Sequence, residues 1–307
     1  MEHETAGDPI SGLKWTRKTT RKIADELKRF GNNVCANTVG RLLKKLKYSL
    51  RVNHKKNESN PNVDPKDRDR QFKYIGRLRN KFAKKGVPIV SIDAKKKELI
   101  GDFKNSGRVF CRKPENVNVY DFPSDANGKG IPYGIYDTIA NKGYVTVGTN
   151  YDTPSFSVDS IETWWKNAGR HEYADASEIL ILADSGGSNS SRSRVWKYEL
   201  YQKICSKYGI KITVCHYPPG CSKWNPIEHR LFSAISKNWA GVPLRSYETM
   251  INYISTTANT KGLTVRASLI TKRYEKGKRV SDEQMKSIPI FHHDCFPKWN
   301  YTLSVKE

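Results

Sequence analysis

From residue 88 onward, short β-branched runs alternate with stretches of helical period, a pattern that predicts a mixed α/β domain. Pro88-Ile89-Val90-Ser91-Ile92-Asp93 is brief, apolar and preceded by proline, so it reads as a strand with Asp93 at its end. Residues 133–137 and 144–148 flank the turn-like Ala140-Asn141-Lys142-Gly143 and pair as a hairpin beside that strand. Residues 157–168 carry Val158, Ile161, Trp164 and Trp165 at helical spacing, with Gly169 as the stop. One of the two tryptophans is expected in the core, and the other either packs in the core or an interface or stacks on DNA. Residues 179–183 are continuously apolar, as a parallel strand buried on both faces requires, and end at Asp184 before the turn Ser185-Gly186-Gly187. A basic helix over 192–208 leads to a strand over 210–215. After Pro218-Pro219-Gly220, Asn225-Pro226-Ile227-Glu228 supplies an N-cap residue, a proline at the first helical position and an acid three residues after the cap. The predicted order is βββαβαβα.

In that order Asp93 and Asp184 lie at strand ends near the middle of a mixed sheet, and Glu228 lies on the helix packed beside them. Each acid has a structural reading as well: aspartate favours turns, and an acid at the position of Glu228 completes a capping box and meets the positive end of the helix dipole. Their conjunction has a chemical reading. Two-metal phosphoryl-transfer sites use several carboxylates because hard divalent ions take oxygen ligands and need their charge offset.

Three blocks carry a family resemblance: Val90-Ser91-Ile92-Asp93-Ala94-Lys95-Lys96-Lys97-Glu98-Leu99, Ala183-Asp184-Ser185-Gly186-Gly187-Ser188-Asn189, and the stretch from His216 to Ser233 containing Trp224-Asn225-Pro226-Ile227-Glu228-His229-Arg230. They resemble the acidic blocks of the Rhodopirellula-type DDE transposases, insertion-sequence enzymes of the ribonuclease H-like integrase superfamily. The resemblance runs from about Gly7 to Thr302 and includes Lys104-Asn105-Ser106-Gly107 and Trp299-Asn300-Tyr301-Thr302. It implies a ribonuclease H-like mixed five-stranded sheet flanked by helices, preceded by a small all-α helix-turn-helix region. It also implies metal-dependent cleavage of element ends and strand transfer into target DNA. Asp93, Asp184 and Glu228 match the catalytic and metal-binding triad, the last two 44 residues apart, with two divalent cations, Mg2+ or Mn2+, as cofactors. The implied partners are the element's terminal repeats, target DNA and further copies of the chain on paired ends, with no membrane and no small-molecule substrate. Family members carry further residues ahead of the block resembled by Gly7-Asp8-Pro9, so part of the DNA-binding region is expected upstream. Two alternatives stay open: an inactive or truncated copy acting only as a sequence-specific DNA-binding protein, and a nuclease on the same fold.

Charge adds to this picture. The chain of 307 residues has a formal net charge of +23. Residues 1–88 hold 23 Lys and Arg against 9 Asp and Glu, a lopsided balance that points to a polyanionic partner. Within them, residues 19–30 and 37–46 read as two short helices, apolar at Ile23, Ala24 and Leu27 and at Val39, Leu42, Leu43 and Leu46. That is the pattern of a helix-turn-helix whose second helix would offer Arg41, Lys44 and Lys45 to the major groove, although a plain helical hairpin would show the same apolar spacing.

The expected division is 1–56 helix-turn-helix, 57–87 basic linker and connecting helix, 88–255 catalytic domain and 256–307 basic C-terminal extension. Lys223, Trp224 and Arg230, close in sequence to Glu228, are further candidate DNA contacts. The basic segment 272–279 reads as a DNA or protomer contact or as a solvated loop. The six cysteines include no C-x-x-C pair and read as reduced thiols, while Cys215, His216, Cys221 and His229 match no common zinc spacing. No apolar run is long enough for a membrane span and no secretory signal opens the chain, so the expected location is cytoplasmic and nucleoid-associated.

Overall fold

The computed structural model describes residues 5–7, 14–16, 18–46, 48, 64–119, 122–221 and 224–305. The chain divides into two compact units, residues 1–58 and 59–307. In the first, strands β1 (Thr5–Gly7) and β2 (Lys14–Thr16) pair antiparallel ahead of helices α1 (Thr20–Arg29) and α2 (Ala36–Lys45). The Thr19 hydroxyl caps α1 by accepting from the Lys22 amide at 3.2 Å. Ile23, Ala24 and Val39 are buried between the helices, with Leu27, Val34 and Leu43 packed against them. Leu42 and Leu46, expected in this core, are exposed. Two short helices bury one stripe each, and on α2 Val39 and Leu43 fill it. Of the basic linker and connecting helix expected over 57–87, residues 57–63 lie outside the described residues.

The second unit begins with α3 (Pro65–Lys84), capped by the Asp64 carboxylate accepting from the Lys66 amide at 2.8 Å. Strands β3 (Ile89–Ala94), β4 (Glu98–Ile100), β5 (Gly128–Asp137) and β6 (Lys142–Gly148) follow. Next come α4 (Pro154–Trp164), the short α5 (Arg170–Glu172), β7 (Glu178–Ala183), α6 (Arg194–Leu200) and β8 (Lys211–His216). The chain closes with α7 (Ser233–Asn238), α8 (Tyr247–Ser255), β9 (Thr264–Ile270), α9 (Asp282–Lys286), β10 (Ile290–His292) and β11 (Asn300–Leu303). The sheet order is β10-β11-β8-β7-β3-β5-β6-β9, with β4 paired to β5 off this path. β3, β7 and β8 are mutually parallel, whereas β5 runs antiparallel to both β3 and β6.

This is the mixed sheet flanked by helices that the sequence predicts, but it is nine-stranded rather than five-stranded. The additional strands include β4 and three from residues 256–307, the segment read as an extension. β9 pairs parallel with β6 at one edge, and β11 and β10 build out from β8 at the other. A five-stranded sheet would expose the backbone N–H and C=O groups of β6 and β8, and the C-terminal strands cover both rows.

Side-chain alternation divides the core into layers. Val90, Ile92, Ile179 and Ile181 point to one face, where Phe156, Ile161, Trp164, Trp196 and Leu200 of α4 and α6 cover them. Ile89, Leu180 and Leu182 point to the other face, against Ile75 and Phe82 of α3. On that second face Ile227, Leu231, Phe232 and Ile235 pack over Val145 and Val147 of β6. Burying each such side chain contributes about 1.5–3 kcal/mol, which makes this two-sided packing the main source of the sheet's stability. Both Trp164 and Trp165 are buried, with ring centroids 5.8 Å apart, because the helix widens into a π-helical turn at Trp165–Gly169. Neither indole is therefore free to stack on DNA.

Candidate active site

Three elements bring the acids together. Ile92 of β3 pairs in register with Ala183 of β7, so the next residue on each strand, Asp93 and Asp184, stands beside the other at the parallel strands' ends. Adjacent strands lie about 4.8 Å apart, which leaves little room to separate two carboxylates. Each is held by local backbone: Asp93 accepts from the Ala94 amide at 2.8 Å, and Asp184 from the Ser185 amide at 2.6 Å. The third acid, Glu228, opens a π-helical turn, Glu228–Phe232, with its carboxyl close enough to Asp93 and Asp184 for both to bear on its ionisation.

The segment before Glu228 is tied to the strand that carries Asp93. Asn225 is fully buried; its Nδ2 donates to the Ile92 carbonyl at 3.2 Å, and its Oδ1 accepts from the Ser91 hydroxyl. The same hydroxyl accepts from the Ile227 amide at 3.1 Å. Two glycines then let the helix descend onto the sheet. Gly134 is the register partner of Asp93, and a Cβ there would stand 2.6 Å from Phe232 Cε1 and 2.8 Å from Ile227 Cδ1. A Cβ at Gly143 would run into Leu231. Glu228 thus reaches Asp93 because β5 and β6 lack side chains where its helix packs.

Crowding shows in the acidities. Burial, reinforced by the neighbouring charge of Asp184, raises Asp93 to about 8, with Glu228 and Asp152 adding to the rise. Burial also raises Asp184 and Glu228, the latter despite the opposing charges of His229 and Lys95. Asp152, just before α4, joins these acids without having been anticipated. Burial raises its pKa against the pull of Ser188 and Lys97, yet Asp152 Oδ1 and Ser188 Oγ complete no hydrogen bond of normal geometry.

His216, one of the residues near the last acidic block, supports the site from behind. Its Nδ1 donates to the Asp184 carbonyl at 2.8 Å, and its Nε2 faces the Tyr301 hydroxyl at 3.2 Å. Burial lowers its pKa to about 4, so the ring is neutral at pH 7. Among the described residues, no three His, Cys, Asp or Glu side chains converge closely enough to cage a metal ion as they stand. Cys205, Cys215, Cys221 and Cys295 are buried thiols.

The candidate DNA contacts scatter. Arg41, Lys44 and Lys45 are exposed on α2. Lys223 lies outside the described residues. Trp224 is 56% exposed and meets Phe72 of α3 edge-on at 6.1 Å. Arg230 is exposed but turned toward Tyr136, where burial raises the phenol's pKa and the guanidinium opposes that rise. In the segment 272–279, Lys272 pairs with Asp159 at 2.7 Å and Lys278 with Glu199 at 2.6 Å, so these two cations fasten the segment to α4 and α6.

A family model described as the Rhodopirellula transposase DDE domain matches residues 1–305. The chain belongs to that family. No curated protein matches this DDE transposase family member. Several solved chains match it in structure. A Mos1 transposase paired-end complex with the left transposon end aligns over 77% of this chain and 65% of that one, at 15% identity and a TM-score of 0.46. A Mos1 mariner paired-end complex with Mn has the same coverage and identity and a TM-score of 0.44. The Mos1 strand transfer complex aligns over 77% and 64%, at 15% identity and a TM-score of 0.45. The alignments thus span less than two thirds of those three chains.

Proposed function

We propose that this DDE transposase family member cuts DNA at the ends of an insertion sequence and joins the freed 3′ ends to target DNA. The observation that carries the reading is the convergence of Asp93, Asp184 and Glu228 from two strand ends and a helix. Their chemistry fits divalent metal. They are oxygen donors, crowded and desolvated enough to oppose one another's ionisation, and the unpaired Asp152 Oδ1 and Ser188 Oγ lie beside them. Asp93 and Asp184 would hold one Mg2+ or Mn2+ ion, and Asp93 and Glu228 a second. Such ions supply an acidified water or 3′-hydroxyl and charge compensation at the leaving oxygen.

The protein's own residues set the stage. Ser91 and Asn225 fix Glu228 relative to Asp93, and His216 fixes the backbone of Asp184. No side-chain nucleophile is required, and Ser185 and Ser188 shape the turn after β7. DNA would be engaged by Arg41, Lys44 and Lys45 of a helix-turn-helix and, near the chemistry, by Lys223, Trp224 and Arg230. Joining two ends would need at least two copies of the chain.

The test is cleavage and joining of the element's own end DNA with magnesium or manganese, comparing the full chain with Glu228→Gln. Activity in the wild type and its loss in the variant is the expected result. Tight binding without cleavage by either protein would favour a copy that only binds DNA. Cleavage without joined products would favour a nuclease.

A further inference from the structure

Helix α3 enters the fold as a connecting element, yet its outer face is exposed and strongly basic. From Arg70 to Lys85 it carries seven Lys and Arg and no acid. Its inner face is fixed: Gln71, Ile75 and Phe82 are buried, and Gln71 Nε2 donates to the His216 carbonyl at 2.9 Å and to Asn300 Oδ1 at 2.8 Å. Asn300 Nδ2 returns a bond to Gln71 Oε1 at 2.7 Å. This double amide contact leaves α3 one rotational setting on the sheet.

With that setting fixed, Arg70, Lys73, Arg77, Lys81 and Lys84 recur at intervals of three and four residues and are all exposed, forming one stripe. Two of them are braced rather than neutralised. Arg70 lies over the Phe296 ring at 5.2 Å and Arg77 over the Tyr74 ring at 5.6 Å. Lys73 pairs with Asp69 at 2.7 Å, both well exposed. Arg70, Lys73, Arg77, Asp69, Asn80 and Gly76 line a shallow groove along the stripe. A glycine in a helix interior is unfavourable, and a Cβ at Gly76 would meet nothing within 4 Å, so packing does not demand it. Its effect is to leave the helix backbone open where the cations cluster.

We propose that the outer face of α3 is a rail for the phosphate backbone of duplex DNA, separate from the helix pair of the first unit and from the carboxylate site. The inference rests on the transposase reading for its partner. Fourteen residues of helix rise about 21 Å, the length of roughly six base pairs, so five cations at this spacing match successive phosphates along one groove edge.

The experiment compares the full chain with its Arg70→Gln/Lys73→Gln/Arg77→Gln form, measuring affinity for a random-sequence duplex across a salt series. All three side chains are exposed, so the melting temperature should change little, the contacts with Phe296 and Tyr74 being weak at exposed sites. The expected result is affinity lower on the order of a hundredfold at 0.1 M salt and a log–log salt slope shallower by roughly 2 to 3, since each phosphate contact contributes about 0.9. An unchanged slope overturns the rail. If the variant instead loses binding to phosphatidylserine vesicles, the stripe serves a membrane surface; if it changes oligomeric state, the stripe serves a second copy. Cleavage of end DNA, scored on the same samples, separates the two claims. A shallower slope without wild-type cleavage supports the rail and overturns the transposase reading, whereas cleavage with an unchanged slope overturns the rail alone.

Discussion

Replacing Gly134 by alanine should damage activity far more than one methyl group in a strand would ordinarily do. The new Cβ would lie 2.6 Å from Phe232 Cε1, 2.8 Å from Ile227 Cδ1 and 2.9 Å from Phe232 Cζ. Non-bonded carbons prefer about 3.5–4.0 Å, so either the buried Phe232 and Ile227 side chains turn aside or the helix that carries them and Glu228 withdraws from β5 by about 1 Å. Overpacking of this kind costs about 1–3 kcal/mol, which urea denaturation would register. Its catalytic effect should be larger. Glu228 sits at the start of that helix and Asp93 is the register partner of Gly134, so a shift of the helix opens the Asp93–Glu228 spacing that the proposed chemistry needs. A displacement of about 1 Å commonly costs about a hundredfold in rate. The assay is single-turnover cleavage of end DNA, with circular dichroism as a control for folding. Adding Ile227→Val and Phe232→Leu removes the atoms that clash and should return much of the lost activity. The reasoning fails if Gly134→Ala behaves as wild type, or if the compensated triple variant is no better than the single one.

Asn225→Ala should cost about 1–3 kcal/mol in urea denaturation by leaving the buried Ile92 carbonyl without its donor, and should slow cleavage with Asp93, Asp184 and Glu228 all intact. Unchanged turnover would remove Asn225 from the positioning of Glu228. The second prediction concerns acid. Burial alone would raise Asp159 and Glu199, but bonds from Lys203, with Lys272 and Tyr274 at Asp159 and Lys278 and Ser155 at Glu199, outweigh it and hold both below the ordinary carboxylate range. Carboxylates with depressed folded pKa values contribute stability above their unfolded pKa and lose it as pH falls through the folded one, so melting temperature should drop from about pH 5 to about pH 3. Lys203→Met should flatten that drop, and an equally steep profile would refute the assignment.

The five inner strands were legible because burial on both faces imposes runs such as Ile179–Ala183 that few other structures tolerate. The acids were legible for a related reason: a carboxylate directly after such a run has to sit at a strand end. The edge strands were not. β10 and β11 are three and four residues long, and their pairing depends on β8 having an open edge, a fact about the assembled sheet rather than about those residues. Leu42 and Leu46 mislead in the opposite sense, since helical spacing marks an apolar stripe without saying how much of it a partner can cover. Gly134 carries a readable signal: glycine inside an apolar strand marks close approach of another element. Asp152 gave none, standing in a polar stretch between a strand and a helix cap.

What keeps three opposing carboxylates together is therefore neutral structure. Asp93 is held by strand pairing, Asp184 by that pairing and the uncharged His216, and Glu228 by Asn225, Ser91 and the two glycines under its helix. Had buried lysines or arginines done this work, their charge would already satisfy the carboxylates and weaken any claim a cation has on them. Anchoring through amides, hydroxyls and packing leaves the cost of burial standing: burial raises all three acids, and neighbouring carboxylates add to the rise at Asp93 and Glu228. On this view the same contacts that make the metal-free site unfavourable are what would give it affinity for positive charge. Substitutions at Gly134 or Asn225 should then weaken manganese binding as well as slow cleavage, although neither residue has an oxygen positioned to act as a ligand.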